Sequence, residues 1–148
     1  MGMRRRAREI ALMTLYSLEF NHLKNFDCNS LLTEYKYALS NVCNMFHLGR
    51  NNNVYNFSNY LVKNTISHLD EINNLIEKHS KNWKLERIAV VDRNILRIGI
   101  FEIVYTKTPH QIVICEALEI AKKFSSDNAH KFINGVLDAI AHKICISK

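Results

Sequence analysis

An all-α fold is what this sequence predicts, and three observations predict it. Its 148 residues include one Pro and four Gly, too little turn punctuation for a sheet protein of many short strands. Apolar residues recur at spacings of three and four, the period of a helix buried along one side. At 47% hydrophobic and 23% charged residues the composition is that of an ordinary globular chain, which excludes disordered and collagen-like classes.

The first element is an amphipathic helix over residues 5 to about 21, with Ala7, Ile10, Ala11, Thr14, Leu15 and Leu18 on one stripe. Its leading turn is arginine, at Arg4, Arg5, Arg6 and Arg8. Cations at a helix N-terminus oppose the macrodipole, so helix stability does not explain them. Residues 29 to 46 carry a second stripe (Leu31, Leu32, Tyr35, Leu39, Val42), and His47 to Asn53 read as a loop. A single long third helix is expected from Val54 to about His79, through Phe57, Leu61, Thr65, Leu69, Ile72 and Ile76. Ser80 to Lys84 are polar apart from Trp83 and form the expected seam between two subdomains, 1–80 and 81–148.

Beyond the seam, Asp92 is the expected N-cap of a helix through Ile95, Leu96, Ile98, Gly99 and Ile103. Thr108-Pro109-His110-Gln111 has a capping-box pattern with Pro at the first helical position, opening a helix with Val113, Ala117, Ile120, Ala121 and Phe124 on one face. The last helix is expected from Ala129 to Lys143, burying Phe132 or Ile133 with Val136, Ile140 and Ile144. The acidic side chains recurring between Asp92 and Glu102, and between Glu116 and Glu119, read as solvated faces.

The net charge is +6, from 20 Lys and Arg against 14 Asp and Glu. Without the four arginines at positions 4 to 8 the balance falls to +2, so the excess basicity is local. A cationic cluster on a nearly neutral body points to a polyanion-binding edge. Guanidinium groups fork onto phosphate oxygens and stack on bases, and His130-Lys131-Phe132 adds a second cation beside an aromatic. Phe132 also falls on an apolar stripe. A core role therefore competes with base stacking, although Ile133 and Val136 can fill the inward face without it.

Other chemistry finds no support. Cys28, Cys43, Cys115 and Cys145 form no CxxC pair, and the seven histidines have no metal-ligand spacing, so neither metal nor cofactor is expected. Paired carboxylates, an activated nucleophile and a glycine-rich phosphate loop are missing from the sequence, which reads as non-enzymatic. No apolar stretch approaches the roughly 18 residues of a membrane span. Ile10 to Leu18 imitate a secretory signal, but Glu9 and Glu19 bracket them and Phe20-Asn21-His22-Leu23 follow where a small-residue cleavage site belongs. Four thiols without an export signal fit a reducing cytoplasm.

Four separated motifs carry a resemblance over nearly the whole chain: RRRARE at 4–9 with Leu15-Tyr16-Ser17, Val91 to Ile98 with Glu102, Glu116 to Lys122, and HKFINGVLD at 130–138. In this order and spacing they resemble the NusB family of bacterial transcription antitermination factors. The resemblance implies two small helical bundles, three helices and then about four, packed as one unit. It implies a non-catalytic protein that pairs with NusE, also a protein of the small ribosomal subunit, and binds boxA RNA within the antitermination complex of RNA polymerase. Carried over by position, Arg4, Arg5, Arg6 and Arg8 would hold phosphates and bases, with Asn128, Lys131 and Phe132 extending the RNA surface. Tyr16, Glu86 and Asp92 would meet NusE. Residues 25 to 60 match the family only in helical character. Cys115 stands where the family commonly has Asn, and Asn128 where an acidic residue is frequent, a loss of negative charge that would favour RNA. Two other readings stay open at this point: the targeting module of a ribosomal RNA methyltransferase system, and a self-associating scaffold with the arginines in a homodimer interface.

Overall fold

The structure, a computed structural model, describes residues 2–21, 26–49, 52–81 and 83–147, with residues 146 and 147 described by their backbone alone. His22 and Leu23 of the signal comparison, Arg50 and Asn51 of the expected loop and Asn82 of the expected seam lie outside the described residues. The described residues form seven α-helices and one 3-10 turn, with no strand. They pack as two compact units, Met1–Leu69 and Asp70–Lys148. The division falls eleven residues before the expected 80/81 boundary, because the chain turns at His68 and the helix after it bonds to the second unit.

The first unit holds α1 (Met3–Asn21), α2 (Cys28–Met45) and α3 (Asn53–Ser67), each packed on the other two. The expected stripe of α1 is buried, Ala7, Ile10, Ala11, Thr14, Leu15 and Leu18 all being 3% exposed or less. The Thr14 hydroxyl donates to the Ile10 carbonyl at 2.8 Å, so its polarity costs nothing inside. Ser58 of α3, fully buried, donates from its hydroxyl to the Val54 carbonyl at 2.7 Å and lies 3.2 Å from the Ala7 carbonyl. Two small side chains at this crossing let α1 and α3 come close near the arginine turn.

Asp27 caps α2, its carboxylate accepting from the Ser30 amide at 2.9 Å. The other end closes with His47 in the left-handed region at φ 57°. The Leu48 amide donates to the Cys43 carbonyl at 3.0 Å and the His47 amide to Asn44 at 3.1 Å, the bond pair of a Schellman turn. A residue with a Cβ is strained there by about 1 kcal/mol. His47→Gly should therefore raise stability by about that amount, read as a higher midpoint in thermal denaturation.

The expected long third helix is two helices. His68 leaves the helical region at φ −112° and ψ 22° and caps α3, and α4 (Leu69–His79) starts at the next residue with Asp70 and Glu71 in its first turn, where carboxylates favour a helix start. Leu61, Thr65, Leu69, Ile72 and Ile76 are buried on both sides of the break. Apolar spacing alone therefore carried no mark of it.

In the second unit, α5 (Val90–Tyr105) is buried on nearly every side from Asn94 to Ile103 and packs on both α6 (His110–Phe124) and α7 (Ala129–Ser147). Gly99 permits the approach of α7, since a Cβ there would stand 3.1 Å from Leu137 Cδ2. Side chains tie α4 to α5. The buried Arg97 donates from Nε to Asn73 Oδ1 at 2.9 Å and from Nη1 to Asn94 Oδ1 at 2.8 Å, and the Tyr105 hydroxyl donates to the Glu71 carboxylate. Burial, then this bond and the carboxylate's charge, push the Tyr105 phenol up to about 12.

Three local expectations are corrected. Asp92 is not the N-cap of α5: that position is Ala89, without a side-chain cap bond, and Asp92 lies in the first turn. The capping box at Thr108 is absent, since α6 begins at His110 with Pro109 just outside it, and Thr108 bonds instead to Thr106. Glu102 is not on a solvated face but 2% exposed, because α5 lies inside its unit. The inward face of α7 is Ile133, Val136, Leu137, Ile140 and Ala141, leaving Phe132 and Ile144 half-buried.

Candidate functional site

The arginine turn opens α1. Arg4 is exposed and Arg5 and Arg6 are half-buried, whereas Arg8 is only 4% exposed. The reason is packing: Arg8 follows Ala7, which sits at the crossing with α3. The Arg4 and Arg8 guanidinium carbons stand 4.6 and 5.5 Å from the centre of the Phe57 ring, and that of Arg6 stands 4.9 Å from Phe46. These are cation–π distances. The cations of Arg4, Arg6 and Arg8 therefore rest on aromatic faces from α3 and from the residue that ends α2. The sequence reading had Phe57 as a core position and Phe46 as the last residue of a helix, and no local pattern marks either as a partner of arginine.

The second unit carries a cleft of about 340 Å³ lined by Trp83, Arg87, Ile88, Ala89, Asp92, Ser126, Asn128, Ala129 and Phe132. Phe132 and Asn128 from the expected RNA set thus share one hollow with Asp92 from the expected partner set. Trp83 is exposed, Phe132 half-buried, and Asn128 and Lys131 exposed at the start of α7. Asp92 is anchored by the Ser125 hydroxyl at the end of α6, which donates to its Oδ1. Glu86 is exposed on the 3-10 turn Leu85–Arg87. Arg93 holds that turn, donating from Nη1 to the Ile88 carbonyl at 2.7 Å. Trp83 and Arg87, which line the cleft, and Ser125, which anchors Asp92, are additions that sequence reasoning missed, since each takes its place by tertiary approach.

Tyr16, in the first unit, is exposed and stacked on the more exposed Phe20, with ring centres 6.4 Å apart and planes 13° from parallel. One turn apart on α1, the two rings form a flat apolar patch of the kind protein interfaces use. Among the described residues no three His, Cys, Asp or Glu gather where they could hold a metal ion, and no helix is long and apolar enough to cross a membrane.

A model of the NusB family matches residues 5–142. The chain belongs to the NusB family. A relative from Thermodesulfovibrio yellowstonii, a transcription antitermination protein NusB, is 40% identical over 148 residues, covering 98% of this chain and 96% of its own. The crystal structure of the antitermination factors NusB and NusE in complex with dsRNA contains a chain that superposes with a TM-score of 0.79 at 28% identity, covering 97% of this chain and 98% of that one. A chain in the crystal structure of a plectonemic RNA supercoil superposes at 0.85, with 30% identity and full coverage of both. The NusB family motifs quoted from the sequence divide by role in the fold. Arg97 and Glu102 are interior, Arg93 braces a turn, and Arg4, Arg5, Arg6, Lys131 and Phe132 retain accessible surface.

Proposed function

We propose that this protein is a non-catalytic RNA-binding transcription antitermination factor, acting in the cytoplasm with NusE on the boxA element of nascent ribosomal RNA transcripts, as part of the antitermination complex on RNA polymerase. The full-length likeness to the NusB chain seen with NusE and RNA carries this reading. Arg4, Arg5, Arg6 and Lys131 are the phosphate contacts, Asn128 and Phe132 the base-facing ones, and Tyr16, Glu86 and Asp92 meet the basic partner. Arg8, sunk beside Phe57, supports the cluster and touches RNA little. The methyltransferase module and the scaffold are less favoured, because antitermination proteins match along almost their entire length.

The salt dependence of RNA binding tests the phosphate contacts. Four neutralised phosphates give a slope of log K against log salt near −3 on single-stranded RNA, about −0.7 for each. Arg5 and Arg6 changed together to Ala should bring it to roughly −1.5. A slope unmoved in that variant places the RNA elsewhere. The same titration, with and without RNA, is followed by solution mass to see whether the chain pairs with itself.

Phe132 supplies a second test. Half-buried at the rim of the cleft, its ring is not among the inward residues of α7, so Phe132→Ala should cost about 1–3 kcal/mol of RNA affinity and well under the roughly 3–5 kcal/mol of folding that a core Phe costs. A steep fall in melting temperature with RNA affinity intact would make it a core residue.

A further inference from the structure

The four arginines at the start of α1 are held against two unfavourable terms. Each cation opposes the positive end of the helix macrodipole, and Arg4 and Arg8, four residues apart, are like charges on neighbouring turns of one face. Aromatic faces help to offset these terms. Arg4 and Arg8 both lie over Phe57, at 4.6 and 5.5 Å, and Arg6 lies over Phe46 at 4.9 Å. The negative ring face attracts a cation where the dipole and the neighbouring charge repel it. Neither ring reaches its place by chance. Phe57 adjoins Ser58, whose hydroxyl sits 3.2 Å from the Ala7 carbonyl, so α3 is pinned to α1 between the two arginines. Phe46 immediately precedes the left-handed His47, whose turn is closed by the Leu48 to Cys43 bond at 3.0 Å.

A guanidinium is planar, with two faces and an edge that carries its N–H donors. A ring takes one face and leaves the edge for phosphate. An arginine on a flexible stem must give up rotamer freedom when it meets a ligand, and one already held in place gives up less. From these distances we infer that Phe57 and Phe46 are positioning residues for RNA phosphate, pre-ordering Arg4 and Arg6 for contact while Arg8 serves as the buried brace against the Phe57 ring. The inference rests on the RNA reading above and assigns a task to residues 46 and 57, in the part of the chain that matches the family only in helical character.

Exchange of each ring tests it on the full chain, with a single-stranded RNA oligonucleotide carrying a boxA element as probe. Phe57→Leu keeps apolar bulk and removes the ring face. It should weaken RNA binding about fivefold with the salt slope unchanged, because the number of phosphates neutralised is the same. Phe57→Tyr keeps the face and should bind as wild type, a rescue that a packing role shared with Leu does not predict. Side-chain Nε–H relaxation should show Arg4 more mobile in Phe57→Leu without any RNA present. Should Phe57→Leu fail to fold, Phe46→Leu asks the same question of Arg6, from a helix-terminal turn outside the α1 and α3 crossing.

If the ring sequesters the guanidiniums instead of presenting them, the folded Leu variant binds RNA as well as or better than wild type, and the inference is overturned. The RNA reading fails differently. In that event the Arg5 and Arg6 double variant binds with unaltered affinity and slope, and both ideas fall together.

Discussion

Arg97→Ala should lower the melting temperature by about 10 °C, the expected reading of a loss of roughly 3–5 kcal/mol in a chain of this size. Arg97 is 1% exposed, its bond to Asn94 at 2.8 Å is buried, and its bond to Asn73 at 2.9 Å is half-buried. Truncation leaves two amide oxygens without these donors, each costing about 1–3 kcal/mol, and opens a void where a long side chain was. Asn94 has a further stake, since its Nδ2 donates to the Val90 carbonyl at 2.9 Å and so stiffens the start of α5. Arg97→Lys should recover only part of the loss, because a single ammonium cannot reproduce two bonds fixed by a planar fork. Thermal denaturation by circular dichroism decides it. A midpoint within about 2 °C of wild type, less than 1 kcal/mol, would show that the network contributes little. RNA affinity of the folded fraction should not change, which separates this arginine from those at the N-terminus.

Asp92→Lys is expected to weaken capture of NusE by more than about 100-fold, since a like charge set against a basic protein costs several kcal/mol at an interface. The local geometry dictates the control. Asp92 accepts from the Ser125 hydroxyl and lies in the first turn of α5, where a carboxylate favours the helix. The lysine variant thus loses stability as well as charge complementarity. Ser125→Ala removes the same hydrogen bond without altering charge, so it should retain most of the NusE affinity. RNA binding by the isolated Asp92→Lys chain should survive. Capture of NusE at wild-type strength by a variant with intact helical circular dichroism would take Asp92 out of the interface.

Much of the fold was legible because helical burial is periodic and local. The stripe of α1 lies inside residue for residue, and Val113, Ala117, Ile120 and Ala121 of α6 are buried as their spacing indicates. The His68 break was not legible. Buried positions continue in step from Thr65 to Leu69 and Ile72, and a turn of one residue between two helices disturbs apolar spacing less than a loop does. Glu102 misled for a related reason. A carboxylate on a helix is usually solvated, but α5 is enclosed on nearly all sides, and enclosure depends on what α6 and α7 do rather than on the sequence of α5.

The candidate site divides along the same line. The order of residues by itself determined that six helical stretches form, the third of which the fold breaks at His68, that the excess charge concentrates in one helical turn, and that Lys131 and Phe132 open the last helix. These follow from side-chain type and spacing within a few residues. Tertiary structure alone decided which of the arginines remain accessible, that Asp92 is tied to Ser125, and that Phe46 and Phe57 lie under guanidinium groups. Those partners are about 30 to 50 residues apart in sequence, and a ring face or a hydroxyl meets its charge only after helices with no local preference for one another have packed, through a close approach of Ala7 and Ser58 or a bend at His47.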